Sequence, residues 1–298
     1  MSLWARQTVD AKINYQTAIW AYYRYYPSLA AAAIFTILFA ATTFFHLYQL
    51  IRRRTWFFIP FVIGGFFEWV GYIGRILSSR ESPNWAMGPY IQQTLLLLLA
   101  PALFAASIYM MLGRIVMLLD AERLCIFKKK WLTKFFVAGD IISFTVQAAG
   151  GGVMASGSLD AVHNGEKIVI AGLAIQIAFF GFFIFTSATF HRRVRKLPTE
   201  RSLELATSWR KHIHVLYAAN ILIMIRSVFR LIEYAMGNNG YLLRHEAFLY
   251  VFDALLMLVV MALFNLVHPS DLLSQRKPKV STALLEVLTA LRGAHRRK

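Results

Sequence analysis

Apolar residues gather in seven long stretches, and short polar segments separate them. A helix needs about 20 mostly apolar residues to cross the hydrocarbon core of a bilayer. Each stretch has that length, so the pattern predicts an all-α membrane protein with a seven-helix transmembrane domain at 28–269. The seven predicted spans are about 28–50, 57–77, 90–119, 135–157, 168–190, 213–236 and 246–267.

Lys and Arg in the polar segments predict how the bundle is oriented. Four alternate segments hold 22 of the 32 basic residues, and the segments between them hold only 6. The basic segments are 51–56, 120–134, 191–211 and 268–298. Cytosolic loops carry the excess of Lys and Arg in membrane proteins. We therefore expect 1–27 to be an extracellular N-terminal segment and 270–298 to be a basic cytosolic tail.

The composition excludes a soluble globular protein. Hydrophobic residues make up 58% and charged residues 16% of the chain, whereas soluble domains are about a quarter charged. The net charge is +17, and most of the basic residues that produce it lie between the spans. This placement indicates contact with anionic lipid headgroups rather than with nucleic acid. A single cysteine, Cys125, rules out a disulfide within the chain.

The tail contains a segment, VSTALLEVLTALR at 280–292, whose apolar residues recur at roughly helical spacing. Such a segment is typical of an amphipathic helix that lies on a membrane surface. A solvated tail without fixed structure fits the same residues, and both interpretations stay open.

Several ionisable side chains lie inside the predicted spans. A charge near the centre of a bilayer costs about 2.5–3.5 kcal/mol even on the most lenient scale. These side chains should therefore face the interior of the bundle and form pairs, or line a wet cavity. They are Glu68, Arg75, Arg114, Asp140, Arg226, Arg230, Glu233 and Asp253, with Glu246 at the edge of the last span.

Spans two, six and seven are predicted to bring three arginines and three acids together in the outer half of the membrane. Helical spacing places Glu68, Tyr72 and Arg75 on one face of span two, and it places Arg226, Arg230 and Glu233 on one stripe of span six. Asp253 lies at similar depth, and Gln92 and Gln93 are candidate amide contributors. We interpret this cluster as a substrate-binding or translocation site; ion pairs that only fix the register of the helices are the alternative.

A second predicted pair lies nearer the cytosolic side. Arg114 of span three and Asp140 of span four lie at matching depth, so we expect a structural ion pair between them. Gln147, seven residues beyond Asp140, is the candidate for contact with a passing substrate. The glycines at 150–152 predict either a close approach of two helices or a bend.

The chain lacks the sequence patterns of several enzyme classes. Its eight histidines lie at span ends or in loops, no Walker A sequence or nucleophile-elbow serine occurs, and no lysine lies within a span. His212 and His214 have no obvious third ligand nearby in the sequence. We therefore expect no metal, no cofactor, no ATP site and no catalytic residues.

Six segments resemble the fungal lipid-translocating exporter family. They are FFEWVGYIGR (66–75), YIQQTLLLLLAPALFAASIYMMLGRI (90–115), GDIISFTVQAAGGG (139–152), IRSVFRLIEYAMGNNGYL (225–242), HEAFLYVFDALLM (245–257) and HP (268–269). The resemblance implies a seven-helix protein of fungal membranes, most often the plasma membrane. It also implies a role in lipid movement or in resistance to toxic lipids, as in the family members associated with an aminocholesterol and with sphingoid long-chain bases. Its intramembrane polar signature falls here on Glu68, Arg75, Gln147, Arg226, Arg230, Glu233 and Asp253.

Taken together, the residues and the resemblance predict a lipid transporter. It would move an amphipathic lipid, such as a sphingoid long-chain base, toward the outer leaflet and thereby give resistance to toxic lipids. Membrane lipids are the expected partners, both as cargo and as anionic headgroups at the basic loops. The alternative is a seven-helix receptor or membrane-stress sensor, although the lone cysteine and the ending FNLVHP, without an NPxxY pattern, argue mildly against it. Energy coupling and oligomeric state stay open.

Overall fold

A computed structural model describes residues 23–82, 84–126, 129–154, 158–237 and 240–274. Seven helices in this part of the chain are long and apolar enough to cross a membrane, which confirms the predicted fold class. They are α1 (Leu29–Arg53), α2 (Ile59–Arg80), α3 (Met87–Leu118), α4 (Lys129–Met154), α5 (Leu159–Lys196), α6 (Ala206–Ala235) and α7 (Glu246–Leu249, Tyr250–Ala254 and Leu255–Leu266). The first 22 residues and the tail segment 280–292 lie outside the described residues.

The helices begin and end at residues suited to those positions. The Ser28 and Ser158 side chains accept hydrogen bonds from backbone amides in the first turns of α1 and α5. Pro60 occupies the first turn of α2, where its missing amide proton costs nothing. Gly237 follows α6 with φ of +69°, a left-handed conformation that glycine adopts without strain.

Consecutive helices pack side by side, and α3 lies at the centre of the bundle. α7 returns to contact both α1 and α6, while α3 also contacts α6. α3 is the most buried of the seven spans and α1 is the least buried. α1 exposes Ile34, Ile37 and Phe44 on its outer face, as expected of a helix that contacts lipid.

Glycines allow two helix pairs to approach closely. A Cβ atom at Gly74 of α2 would lie 2.9 Å from the Pro89 carbonyl oxygen at the start of α3. One at Gly150 of α4 would lie 2.8 Å from the Gly165 carbonyl oxygen of α5. By contrast, no atom of the described residues lies within 4 Å of a Cβ built at Gly151 or Gly152. Of the three adjacent glycines in the sequence, only Gly150 is required for close packing.

α7 is interrupted by a single π-helical turn, Tyr250–Ala254. Such a turn contains one residue more than an α-helical turn, so it changes which face of the helix the following residues occupy. The turn carries the buried side chains of Tyr250 and Asp253. Isolated π-turns are often found at functional sites, and this one lies beside the buried arginines described below.

Candidate functional site

Arg75 and Glu246 form an ion pair that joins α2, α7 and the segment before α1. Arg75 Nη2 lies 2.6 Å from Glu246 Oε1, and the Arg75 side chain is fully buried. Its Nε donates a hydrogen bond to the Tyr250 hydroxyl at 3.0 Å, and Nη2 donates another to the Tyr25 hydroxyl at 2.8 Å. The Ser28 amide donates to both carboxylate oxygens of Glu246. This pair therefore fixes the start of α1 against the bundle.

A second ion pair joins α6 to the π-turn of α7. Arg226 Nε lies 2.5 Å from Asp253 Oδ1, and both side chains are at least 95% buried. Arg226 Nη2 also donates to the Leu97 carbonyl oxygen of α3 at 2.7 Å. A charged arginine at this depth requires such compensation, because the bilayer interior offers no water to solvate it. The pair links three helices at one level.

A third ion pair lies within α6, one turn closer to the end of the bundle at which α1 begins. Arg230 Nη1 lies 2.6 Å from Glu233 Oε2, and the guanidinium group is 5.3 Å from the centre of the Tyr234 ring. Arg226 and Arg230 are four residues apart, which corresponds to about 6 Å along the helix. The second and third pairs thus form two successive layers.

Glu68 lies near the second ion pair but belongs to no pair. Its side chain is 1% exposed, and within the described part of the chain it makes neither a hydrogen bond nor an ion pair. Asp253 and Arg226 are its charged neighbours. Glu68 and Arg75 share a face of α2, but seven residues separate them by about 10 Å. Glu68 and Arg75 therefore do not pair with each other, and Arg75 pairs with Glu246.

A cavity of about 120 Å³ lies above these layers, at the same end of the bundle. Arg230 and Glu233 form part of its wall, and Arg24 and Glu166 supply a second arginine and a second carboxylate. Thr94, His245 and four tyrosines add to the polar wall; the tyrosines are Tyr23, Tyr25, Tyr90 and Tyr234. Apolar side chains share the lining, among them Met154, Leu243 and Leu249. The wall therefore combines both signs of charge, aromatic rings and an apolar surface.

The segment before α1 closes one side of the cavity. The Tyr23 hydroxyl donates to Gln93 Oε1 at 2.9 Å and lies 3.2 Å from Ser78 Oγ. Burial raises the pKa of the Tyr25 phenol above its ordinary value, although the neighbouring Arg75 charge opposes that rise. Tyr25 is therefore neutral at physiological pH. Its ring and that of Tyr23 lie within 6 Å of the Arg75 guanidinium carbon.

Gln147 lies apart from this cluster. Its amide nitrogen donates to Ser143 Oγ and to Gln176 Oε1, both at 3.1 Å, at the interface between α4 and α5. A Cβ atom at Gly172 of α5 would lie 3.0 Å from the Gln147 backbone nitrogen, so the two helices are in close contact there. In this structure Gln147 connects α4 to α5 and does not line the cavity.

The predicted ion pair between Arg114 and Asp140 is wrong. Among the described residues, neither carboxylate oxygen of the buried Asp140 has a hydrogen-bond partner, and the Arg114 guanidinium lies 3.8 Å from the centre of the Phe57 ring. The Tyr109 hydroxyl is the polar group beside Asp140, without a hydrogen bond of normal geometry. Tyr109 and Arg114 are five residues apart, which places them about 140° apart around α3. Asp140 therefore lies at the level of Tyr109, about 8 Å along α3 from Arg114 and on a different side of that helix.

Comparison with known proteins places this architecture in a family. Residues 61–276 match the family described as RTA1 like protein. The chain belongs to the RTA1-like family. It is 37% identical over 273 residues to Protein RTA1 of Saccharomyces cerevisiae, covering 83% of this chain and 84% of that protein. No solved structure matches it significantly.

Other RTA1-like relatives have names that state a cargo. The chain is 37% identical over 281 residues to Protoporphyrin uptake protein 1 of S. cerevisiae, covering 82% of this chain and 90% of that protein. It is 27% identical over 277 residues to the Sphingoid long-chain base transporter RSB1 of S. cerevisiae, covering 82% of this chain and 72% of that protein. The chain is thus a multi-pass membrane protein whose relatives include named transporters.

In this RTA1-like protein, the structure adds several residues to the predicted site. Glu246 was placed at the edge of a span, yet it is the partner of Arg75. Tyr23 and Tyr25 precede the first span, where the sequence suggested only an extracellular segment. Both belong to the unusual run YYRYYP at 22–27, which was the available signal. Among the described residues, no group of three or more His, Cys, Asp or Glu side chains could hold a metal ion.

Proposed function

We propose that this protein transports an amphipathic lipid whose headgroup carries an amine and hydroxyl groups, such as a sphingoid long-chain base. The cavity of about 120 Å³ is the observation that carries the proposal. It has room for several water molecules or for a polar headgroup, but not for a long alkyl chain. The chain of the lipid would extend along the apolar part of the wall toward the surrounding membrane.

The wall of the cavity suits such a headgroup chemically. Glu166 and Glu233 offer carboxylates to an ammonium group, and the tyrosine rings offer aromatic faces that attract cations. Arg24 and Arg230 can donate hydrogen bonds to hydroxyl oxygens, because a guanidinium is a donor only. The sphingoid-base transporter among the relatives supports the same class of cargo.

An anionic cargo is the second candidate. Arg24 and Arg230 line the cavity, and one relative is named for uptake of protoporphyrin, whose carboxylates would pair with arginine. The count of ionisable groups favours a cation. The three ion pairs and Glu68 together contain three arginines (Arg75, Arg226 and Arg230) and four acids (Glu68, Glu233, Glu246 and Asp253).

We infer the direction of transport from the predicted orientation. The pattern of basic loops supports an outer location for the cavity, from which the headgroup would leave into the outer leaflet. Removal of a toxic lipid from the inner leaflet would give resistance to it. The plasma membrane is the location at which such export would protect a cell.

Reconstitution tests the proposal. Purified protein in liposomes should speed the movement of a fluorescent long-chain base between leaflets, measured with a quencher that does not cross the membrane. Glu233→Gln should slow this movement at least several-fold. Asp160→Asn is the matched control, since Asp160 is exposed at the start of α5 on the same side of the bundle. No acceleration over protein-free liposomes would refute lipid transport, and acceleration of protoporphyrin alone would favour the anionic cargo.

A further inference from the structure

Within the described part of the chain, the three ion pairs leave one acid, Glu68, without a partner. Each arginine of these pairs has its own carboxylate: Arg75 has Glu246, Arg226 has Asp253 and Arg230 has Glu233. Glu68 is the fourth acid, and it is as deeply buried as the paired ones. Its Oε1 atom is fully enclosed without a hydrogen-bond partner. The layer around Asp253 therefore contains two acids for one arginine.

The groups around Glu68 do not stabilise a negative charge on it. From α7 and α6 it faces Asp253 and Arg226, which already compensate each other at 2.5 Å. From its own helix it is near Tyr72, whose hydroxyl also has no hydrogen-bond partner among the described residues. The described side chains of α1 and α3 that pack on Gly64, Gly65 and Gly71 of α2 are Thr43, Phe104, Leu96 and Leu97, none of which is ionisable. An isolated carboxylate in such a place is costly.

We propose that Glu68 is a proton-binding site whose proton is exchanged for the ammonium group of the cargo. With no cargo present, Glu68 is a neutral carboxylic acid. When the cationic headgroup moves inward from the cavity, Glu68 releases one proton and pairs with the ammonium. When the cargo leaves, a proton returns to Glu68, so one proton is exchanged for each cation and no other reactant is needed.

The geometry places Glu68 within reach of the cavity. Arg230 and Leu249 line the cavity, and each lies one helical turn from the residues Arg226 and Asp253 that are the neighbours of Glu68. The step from the cavity to Glu68 thus corresponds to about 6 Å of helix. This inference rests on the proposed transport of a cationic lipid, and it adds that a proton is exchanged for the lipid.

Infrared spectroscopy of the purified protein without cargo tests the first half of the proposal, that Glu68 carries a proton when no cargo is bound. A protonated carboxyl group absorbs in a region that carboxylates and amides leave free. Glu68→Gln should remove such a band, and Glu68→Asp should retain one at a shifted frequency. Asp140→Asn is the matched control, because it removes another buried acid outside the cavity. If Glu68→Gln leaves the carboxyl bands unchanged, the acid is ionised and the proposal is wrong.

Binding of a quaternary ammonium analogue tests the second half of the proposal, that Glu68 releases its proton when the cation binds. An N,N,N-trimethylated long-chain base carries a fixed charge, so it cannot bind or release a proton itself. Titration calorimetry in buffers with different ionisation enthalpies should show release of about one proton per molecule bound. The apparent Kd should rise by up to about tenfold for each unit that the pH falls, because protons compete for Glu68.

Two variants distinguish the possible outcomes. Glu68→Gln should bind the analogue more weakly and release no proton, while Asp140→Asn should behave like the unchanged protein. Binding without proton release, or release that Asp140→Asn abolishes instead, would overturn the proton site while leaving lipid transport intact. If the analogue neither binds nor moves between leaflets, the transport of cationic lipids fails, and the exchange at Glu68 fails with it.

Discussion

Two buried aspartates show how the same residue type has different roles at two places in this protein. Asp253 pairs with Arg226 at 2.5 Å, whereas Asp140 is near Tyr109 and has no cation beside it. Removing one member of a buried ion pair leaves the other charge uncompensated. Removing a carboxyl group that has no cationic partner leaves no such charge. The two positions should therefore respond differently to neutral substitutions.

Asp253→Leu should destabilise the protein by roughly 3–5 kcal/mol, because the Arg226 charge remains buried. The double variant Arg226→Met/Asp253→Leu should recover most of that loss but should not recover transport. Asp140→Asn should change stability by only about 1 kcal/mol. Chemical unfolding in detergent micelles measures all three free energies. A loss for Asp140→Asn as large as that for Asp253→Leu would show that Asp140 has a cationic partner after all.

At the scale of helices, the glycines of QAAGGG contribute unequally. Gly150 contacts the backbone of α5, whereas Gly151 and Gly152 have no atoms of the described residues where a Cβ would lie. The sequence shows three equivalent residues, and only the packing of α4 on α5 distinguishes them. The same limit applies to Arg114 and Asp140, because the sequence does not show toward which neighbouring side chain each of them points.

Gly150→Ala should destabilise the α4–α5 interface by about 1–3 kcal/mol, since a methyl group there forces the helices apart. Gly151→Ala and Gly152→Ala should be neutral or should stabilise α4 by about 0.5–1 kcal/mol, because alanine favours a helix. Thermal unfolding midpoints of the three purified variants compare them directly. Equal effects at all three positions would mean that helix propensity, not close packing, is what matters here.

At the scale of the whole molecule, hydropathy was sufficient to predict seven helices, and the structure extends several of them. α5 runs for 38 residues, 159–196, where 168–190 was predicted. Apolar length defines only the part of a helix within the membrane, so polar extensions are missed. The acids and arginines of the site could be predicted from the sequence, because a charged side chain inside a membrane span is energetically costly and needs a partner. Their partners depend on the π-turn in α7 and on Tyr25, and neither has a periodic signal in the sequence.

The unpaired Glu68 has an electrical consequence for transport. If one proton leaves as one monovalent cation arrives, the buried layer carries the same total charge in both states. Each transport cycle then moves no net charge across the membrane, so the membrane potential neither drives nor opposes it. In proteoliposomes, a potassium diffusion potential set with valinomycin should leave the flux of the trimethylated base unchanged, whereas a pH gradient should alter it. A flux that follows the potential at constant pH would instead mean that the cation crosses alone, and that the protein works as a voltage-driven lipid pathway rather than an electrically silent exchanger.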